Sequence, residues 1–132
     1  WSSDVCSSDL ITGFGLIGHA AELAEASDVT ITLHASAVPL LEHALDLAEE
    51  GIVTRAAGTA RKFLGAKLLI DDMDETLANV LADAQTSGGL LLSVAAEKCD
   101  ALVGELNAAG AICAAVVGEV APAGEARIRL VP

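Results

Sequence analysis

The stretch Thr12–His19, TGFGLIGH, constrains this chain most, because its glycines fall directly ahead of an amphipathic run from Leu16 to Ala26. In that run Leu16, Ile17, Ala20, Leu23 and Ala24 recur at helical spacing, with Glu22 and Glu25 on the opposite side. A loop without bulky side chains therefore opens straight into a packed helix. A helix start carries unpaired N–H groups and partial positive charge, and glycine lets an anion approach the main chain. On spacing alone the stretch is either an anion-binding loop or a tight turn before a core helix.

The remaining periodicity alternates between helix and strand. VTITLH, residues 29–34, has the alternation of a half-buried strand. A helix is expected from Pro39 through Leu40, Leu41, Ala44, Leu45 and Ala48 to a stop at Gly51. Thr54 is placed to cap a short helix containing Ala57, Ala60 and Leu64, whose exposed side carries Arg55, Arg61 and Lys62, either as a solvated face or to meet phosphate across a domain junction. A short strand over residues 67–70 follows, and then a helix capped by Asp74 and carrying Leu77, Val80 and Leu81. The small polar turn QTSGG, Gln85–Gly89, leads into Leu90–Val94, a continuous apolar strand expected to be buried on both faces. An amphipathic helix over Ala96–Ala109 stops at Gly110. Strands at Ile112–Val120 and Ala126–Val131 then form a hairpin about a Pro122 and Gly124 turn. The pattern is α/β of the α+β kind, a mixed sheet of roughly four strands covered by helices.

Length and charge bound the function. The 132 residues suit one domain, here residues 11–132. Residues 1–10, WSSDVCSSDL, lack the alanine and leucine periodicity of the rest and read as a non-native or disordered leader. The first residue is Trp1, and a ligand loop so near it suggests a piece of a longer polypeptide. Net charge is −12, from 7 Lys+Arg against 19 Asp+Glu, which disfavours nucleic acid and anionic membranes. No apolar run is long enough to span a bilayer. Cys6, Cys99 and Cys113 lack metal-site spacing; Cys99 and Cys113 are expected as small buried residues, and a reducing cytoplasm is the expected location.

Gly13, Gly15 and Gly18 also fit G-x-G-x-x-G, but a dinucleotide fingerprint needs a core strand before it and a carboxylate about twenty residues later. SSDLIT precedes it, and Leu33–Ala35 offers no carboxylate. Asp71, Asp72 and Asp74 form the densest acidic run, explained by capping and solvation.

TGFGLIGHA near the start, GTARKFL in the middle, and QTSGGLLLSV followed by a helix and VVGEV together resemble the C-terminal domain of selenophosphate synthetase (selenide, water dikinase). The resemblance covers essentially Ile11–Val131, and either motif alone is shared with other aminoimidazole ribonucleotide synthetase-like (PurM-like) enzymes. It implies ATP-dependent conversion of selenide and water to selenophosphate, AMP and phosphate, with magnesium and usually potassium, by a homodimer. It further implies that the nucleophile and most metal ligands lie in an N-terminal domain, so that this chain alone is inactive. Thr12, Gly13, Phe14 and Gly15 would face the nucleotide, with Gln85, Thr86, Ser87, Gly88 and Gly89 contacting it or supporting the loop. Thr12 would donate to a phosphate or cap the helix; His19 would support the site or simply pack. The family's magnesium-binding aspartate aligns with Leu10, so no metal ligand is assigned here. The alternatives are a non-catalytic dimerisation or interaction domain, or part of a related ATP-using synthetase of purine synthesis or hydrogenase maturation.

Overall fold

A computed structural model describes residues 7–132. The elements in chain order are β1 (Ser7–Leu10), α1 (Gly15–Ser27), β2 (Val29–His34), α2 (Ala44–Glu49), α3 (Arg55–Leu64), β3 (Leu68–Ile70), α4 (Glu75–Leu81), β4 (Leu90–Ser93), α5 (Ala96–Ala108), β5 (Gly118–Pro122) and β6 (Ile128–Val131). A mixed four-stranded sheet has the order β3-β6-β2-β5, and a separate two-stranded sheet joins β1 to β4. The architecture is the α+β fold expected from the alternating periodicities.

Strand alternation sets the core. In β2, Ile31 and Leu33 point inward, and in β6 Ile128 and Leu130 do the same in parallel register beside them. Helix α1 lies across this pair with Ile17, Ala20 and Ala24 against it. Ile17, Leu33, Ile128 and Leu130 are the largest fully buried side chains, each contributing about 1.5–3 kcal/mol on burial. Helix α3 adds Ala57, Ala60 and Leu64, capped by Thr54, whose hydroxyl accepts from Ala56 N at 3.2 Å. Helix α4 adds Ala78 and Leu81, capped by Asp74, which accepts from Leu77 N at 3.0 Å. Arg129 leaves the far face of β6 to meet Asp71 at 2.8 Å.

Several expectations are corrected. Pro39 starts no helix: His43 adopts a left-handed φ of 64°, which interrupts helical winding, and α2 begins only at Ala44. Leu41 accordingly stays exposed and α2 buries no residue. Strand β4 is not buried on both faces; among the described residues it pairs with β1 alone, and Leu90 is 65% exposed. The strand expected from Ile112 begins only at Gly118, and Ile112 lies fully in solvent. Cys113 is exposed and Cys99 half-buried, so neither is a core residue. Cys6 lies outside the described residues.

The terminal strands do not make a hairpin. β5 pairs antiparallel to one edge of β2, and β6 pairs parallel to the other. The connection between them crosses the end of β2, and Thr30 anchors it, donating to Ala126 O at 2.6 Å and accepting from Gly124 N at 2.9 Å. A Pro and Gly turn between two apolar runs carries no information about which strand lies between them.

Ser7–Leu10, set apart by composition, form β1, with Ser7 opposite Ser93 and Leu10 opposite Leu90. Backbone pairing needs only N–H and C=O groups, and an unpaired strand offers a free row of them whatever the incoming side chains. Residues 1–6 of the expected leader lie outside the described residues.

Candidate functional site

The two glycine-rich motifs meet. Gly88 N donates to Ile11 O at 2.9 Å, Ile11 N donates to Gly89 O at 3.0 Å, and Gln85 N donates to Thr12 O at 2.9 Å. The QTSGG turn thereby holds the backbone just ahead of TGFG in one position. Gly15, with a φ of +64°, packs against the carbonyls of Ala82 and Asp83 where α4 ends, so the start of α1 is fixed from a second side. Asp83 in turn accepts from the Thr54 hydroxyl and, at 3.3 Å, from Thr54 N, which ties the start of α3 to the same junction.

What remains free is the outer edge of the loop. Gly13 and Phe14 are exposed, and their N–H groups have no hydrogen-bond partner among the described residues. An added Cβ at Gly13 would meet nothing within 4 Å. Phe14 occupies the N-cap position of α1 without a side-chain cap and is 59% exposed. Unsatisfied donors at the mouth of a 13-residue helix are the arrangement that accepts an anion. Gln85, Thr86 and Ser87 are exposed and their side chains make no hydrogen bond among the described residues, so their backbone shapes the loop while their side chains stay available.

Thr12 does not cap α1. Its Oγ1 lies 3.1 Å from His19 Nε2, and no side chain caps α1. His19 is 7% exposed, and its Nδ1 lies 2.9 Å from Asp9 Oδ2 and 3.0 Å from Glu22 Oε2. The ring therefore turns Nδ1 to the two carboxylates and Nε2 to the Thr12 hydroxyl. The Phe14 ring stands 5.7 Å from the imidazole at 54°. His19 is thus a buried, hydrogen-bonded packing residue. Glu22 was legible as an i,i+3 neighbour on α1; Asp9 was missed because it lies in the segment set aside as leader.

Asp9, His19 and Glu22 bring their ligand atoms within 4.8 Å of one another, but the set does not fit magnesium. That ion requires several hard oxygen ligands in octahedral geometry. Here the nearest carboxylate oxygens are engaged by an imidazole nitrogen, and Leu10, 46% exposed at the end of β1, offers no oxygen side chain.

Away from the loop, Arg61 donates to both Glu75 carboxylate oxygens and, at 2.7 Å, to Asn79 Oδ1. The Arg61 hydrogen bond holds the Glu75 carboxyl below its ordinary value of 4.5. A depressed carboxylate stabilises the fold above the unfolded-state value and loses that contribution as pH falls through the lower folded value. The stability difference between the parent and Arg61→Ala is therefore expected to be constant at neutral pH and to shrink once pH drops below 4.5, as urea midpoints at the two pH values would show. A difference unchanged in acid would refute the assignment. Both groups touch solvent, so the effect is small. Within the acidic run Asp74 caps α4 as expected, whereas Asp71 pairs with Arg129.

The fold and the paired glycine motifs define an α+β domain in which a helix-opening loop with an exposed outer edge is clamped by a distant turn. The chain belongs to the family described as AIR synthase related protein, C-terminal domain, whose model matches residues 3–131. It is 43% identical to the selenide, water dikinase of Rhizobium meliloti (strain 1021) over 92% of this chain and 35% of that protein. It is 37% identical to the selenide, water dikinase of Clostridioides difficile (strain 630) over 97% of this chain and 37% of the relative. The Porphyromonas gingivalis (strain ATCC 33277) selenide, water dikinase is 46% identical over 76% of this chain and 28% of its own length. The chain spans about a third of the length of these curated relatives.

Proposed function

We propose that this chain serves as the C-terminal, nucleotide-facing domain of a selenide, water dikinase, which uses ATP and water to convert selenide to selenophosphate, AMP and phosphate. The observation that carries the reading is the junction itself: Gln85, Gly88 and Gly89 fix Ile11 and Thr12 through three backbone hydrogen bonds. That leaves the Gly13 and Phe14 N–H groups presented to a ligand. Preorganised donors of this kind stabilise phosphate charge at little cost in reorganisation. Thr12, Gly13, Phe14 and Gly15 line this edge, and Gln85–Gly89 supports it. The groups that attack ATP and hold magnesium and potassium lie in the part of such an enzyme beyond this chain, which works as a homodimer in the cytoplasm. No catalytic residue is assigned to residues 7–132.

The test is a chimera in which residues 11–131 replace the corresponding segment of the Rhizobium meliloti relative, read by selenide-dependent AMP formation. Activity is expected with Asp at position 10 and a fall of about 100-fold with Leu there, the scale of losing one strong charge-stabilising contact. The chain by itself is expected to form no AMP. A chimera that folds and dimerises yet stays inactive with either residue would favour a non-catalytic interaction domain or a synthetase acting on another substrate.

A further inference from the structure

We propose that the groove between α3 and α4 is a second anion site, which holds a chain of phosphoryl groups between Arg55 and Lys62. Carboxylates outnumber cations heavily in this protein, with a net charge of −12. Basic side chains are accordingly taken up by acids: Arg61 by Glu75, Lys67 by Glu25, Arg127 by Asp28 and Arg129 by Asp71. Arg55 and Lys62 are the exceptions. Both are exposed, and neither side chain has a hydrogen-bond or ion-pair partner among the described residues.

These two cations share one face of α3 at positions i and i+7, with Gly58 between them at i+3. An added Cβ at Gly58 would meet nothing within 4 Å, so the helix backbone between the two charges lies open. Over that stretch sits a groove of about 530 Å³ lined by Thr54, Arg55, Gly58, Thr59, Lys62 and Asn79, among others, and by no carboxylate. A neighbouring groove shares Gly58 and Lys62 and also lacks an acidic wall. Asn79 gives its Oδ1 to Arg61 at 2.7 Å, which leaves its amide N–H groups as donors. A guanidinium, an ammonium and an amide around one open depression are anion chemistry.

The spacing selects the anion. Seven residues of helix separate the two Cα atoms by about 10 Å, so a single phosphate must draw both flexible side chains inward to meet both charges. A di- or triphosphate chain laid along Gly58 spans them. The groove shares no lining residue with the Thr12–Gly15 loop or the Gln85–Gly89 turn, and the proposal holds whether or not the dikinase reading does.

The experiment is an amide NMR titration of the 132-residue chain at fixed ionic strength, in EDTA, with sodium tripolyphosphate. Parallel arms use ATP, orthophosphate and sulfate. Saturable shifts centred on residues 54–62 are expected, at least about tenfold tighter for tripolyphosphate and ATP than for orthophosphate. The Arg55→Gln/Lys62→Gln variant should bind at least about tenfold more weakly; both side chains are exposed, so its circular dichroism should match the parent. Should the double variant fail to fold, each single variant is expected to bind about threefold more weakly and serves instead. Equal affinity for sulfate, shifts scattered without saturation, or unchanged affinity in the variants would each overturn the site and leave only general counterion attraction. Binding of tripolyphosphate but not ATP would identify an inorganic chain as the ligand.

Discussion

Gly15→Ala is expected to cost about 2–5 kcal/mol of unfolding free energy, from about 1–2 for a left-handed residue with a Cβ and about 1–3 for overpacking. The residue holds a φ of +64°, and its Cβ would come within 2.7 Å of Ala82 C, Ala82 O and Asp83 O. All three are backbone atoms, so no side-chain rotation relieves the contact. The end of α4 or the start of α1 must move, and Asp83 would carry the disturbance to Thr54 and α3. Gly13→Ala, two residues away, meets nothing within 4 Å and should stay within about 0.5 kcal/mol of the parent. Urea unfolding of the two variants decides the matter; equal midpoints would show that the close approach at Gly15 is not what orders the loop.

The contrast between these glycines shows what the sequence carried and what it did not. TGFG announced a helix-opening loop, and α1 begins within it, because local chain flexibility and the 3.6-residue apolar repeat are both written in consecutive residues. The same holds for β2, α3 and α4, whose alternation or caps at Thr54 and Asp74 act over a few residues. Nothing local says which glycine touches another element. The place of β6 on the far side of β2 from β5 was illegible for the same reason: Thr30 fixes it through contacts with Gly124 and Ala126, remote in sequence. Helix α2 was overextended because an apolar repeat in Leu40, Leu41 and Leu45 is compatible with a helix that the left-handed His43 then forbids.

The candidate site was half legible on the same terms. Its members were visible as two motifs, but their union depends on long-range backbone bonds that no spacing rule encodes. The hydroxyl of Thr12 illustrates the limit. Sequence offers it as a cap or a ligand donor, and the fold brings His19 to it from seven residues along the chain. Asp9 reached the same imidazole from a segment whose composition gave no reason to include it.

Gly88→Ala tests the union directly. A Cβ there would lie 2.5 Å from Gln85 Oε1, 2.6 Å from Ile11 O and 3.0 Å from Ile11 Cβ. The glutamine amide can swing away, since it is the exposed end of a flexible side chain. Ile11 O cannot: it is the acceptor for Gly88 N, and Ile11 itself is buried with its own N–H bonded to Gly89. The turn must therefore withdraw from the loop, at a cost of about 1–3 kcal/mol, or more where a buried backbone group is left unpaired. Gly89→Ala, with nothing within 4 Å of its Cβ, is the matched control. Amide exchange distinguishes a local from a global effect: faster exchange at Ile11 and Gln85 in Gly88→Ala, with β2 and β6 still protected, would show that the turn clamps the loop. Unchanged protection at Ile11 would mean that the loop holds its shape without the turn, and the glycine pair would then belong to the turn alone. In the chimera the clamped reading makes a further demand, since a loop released from its clamp should lose turnover while the domain remains folded.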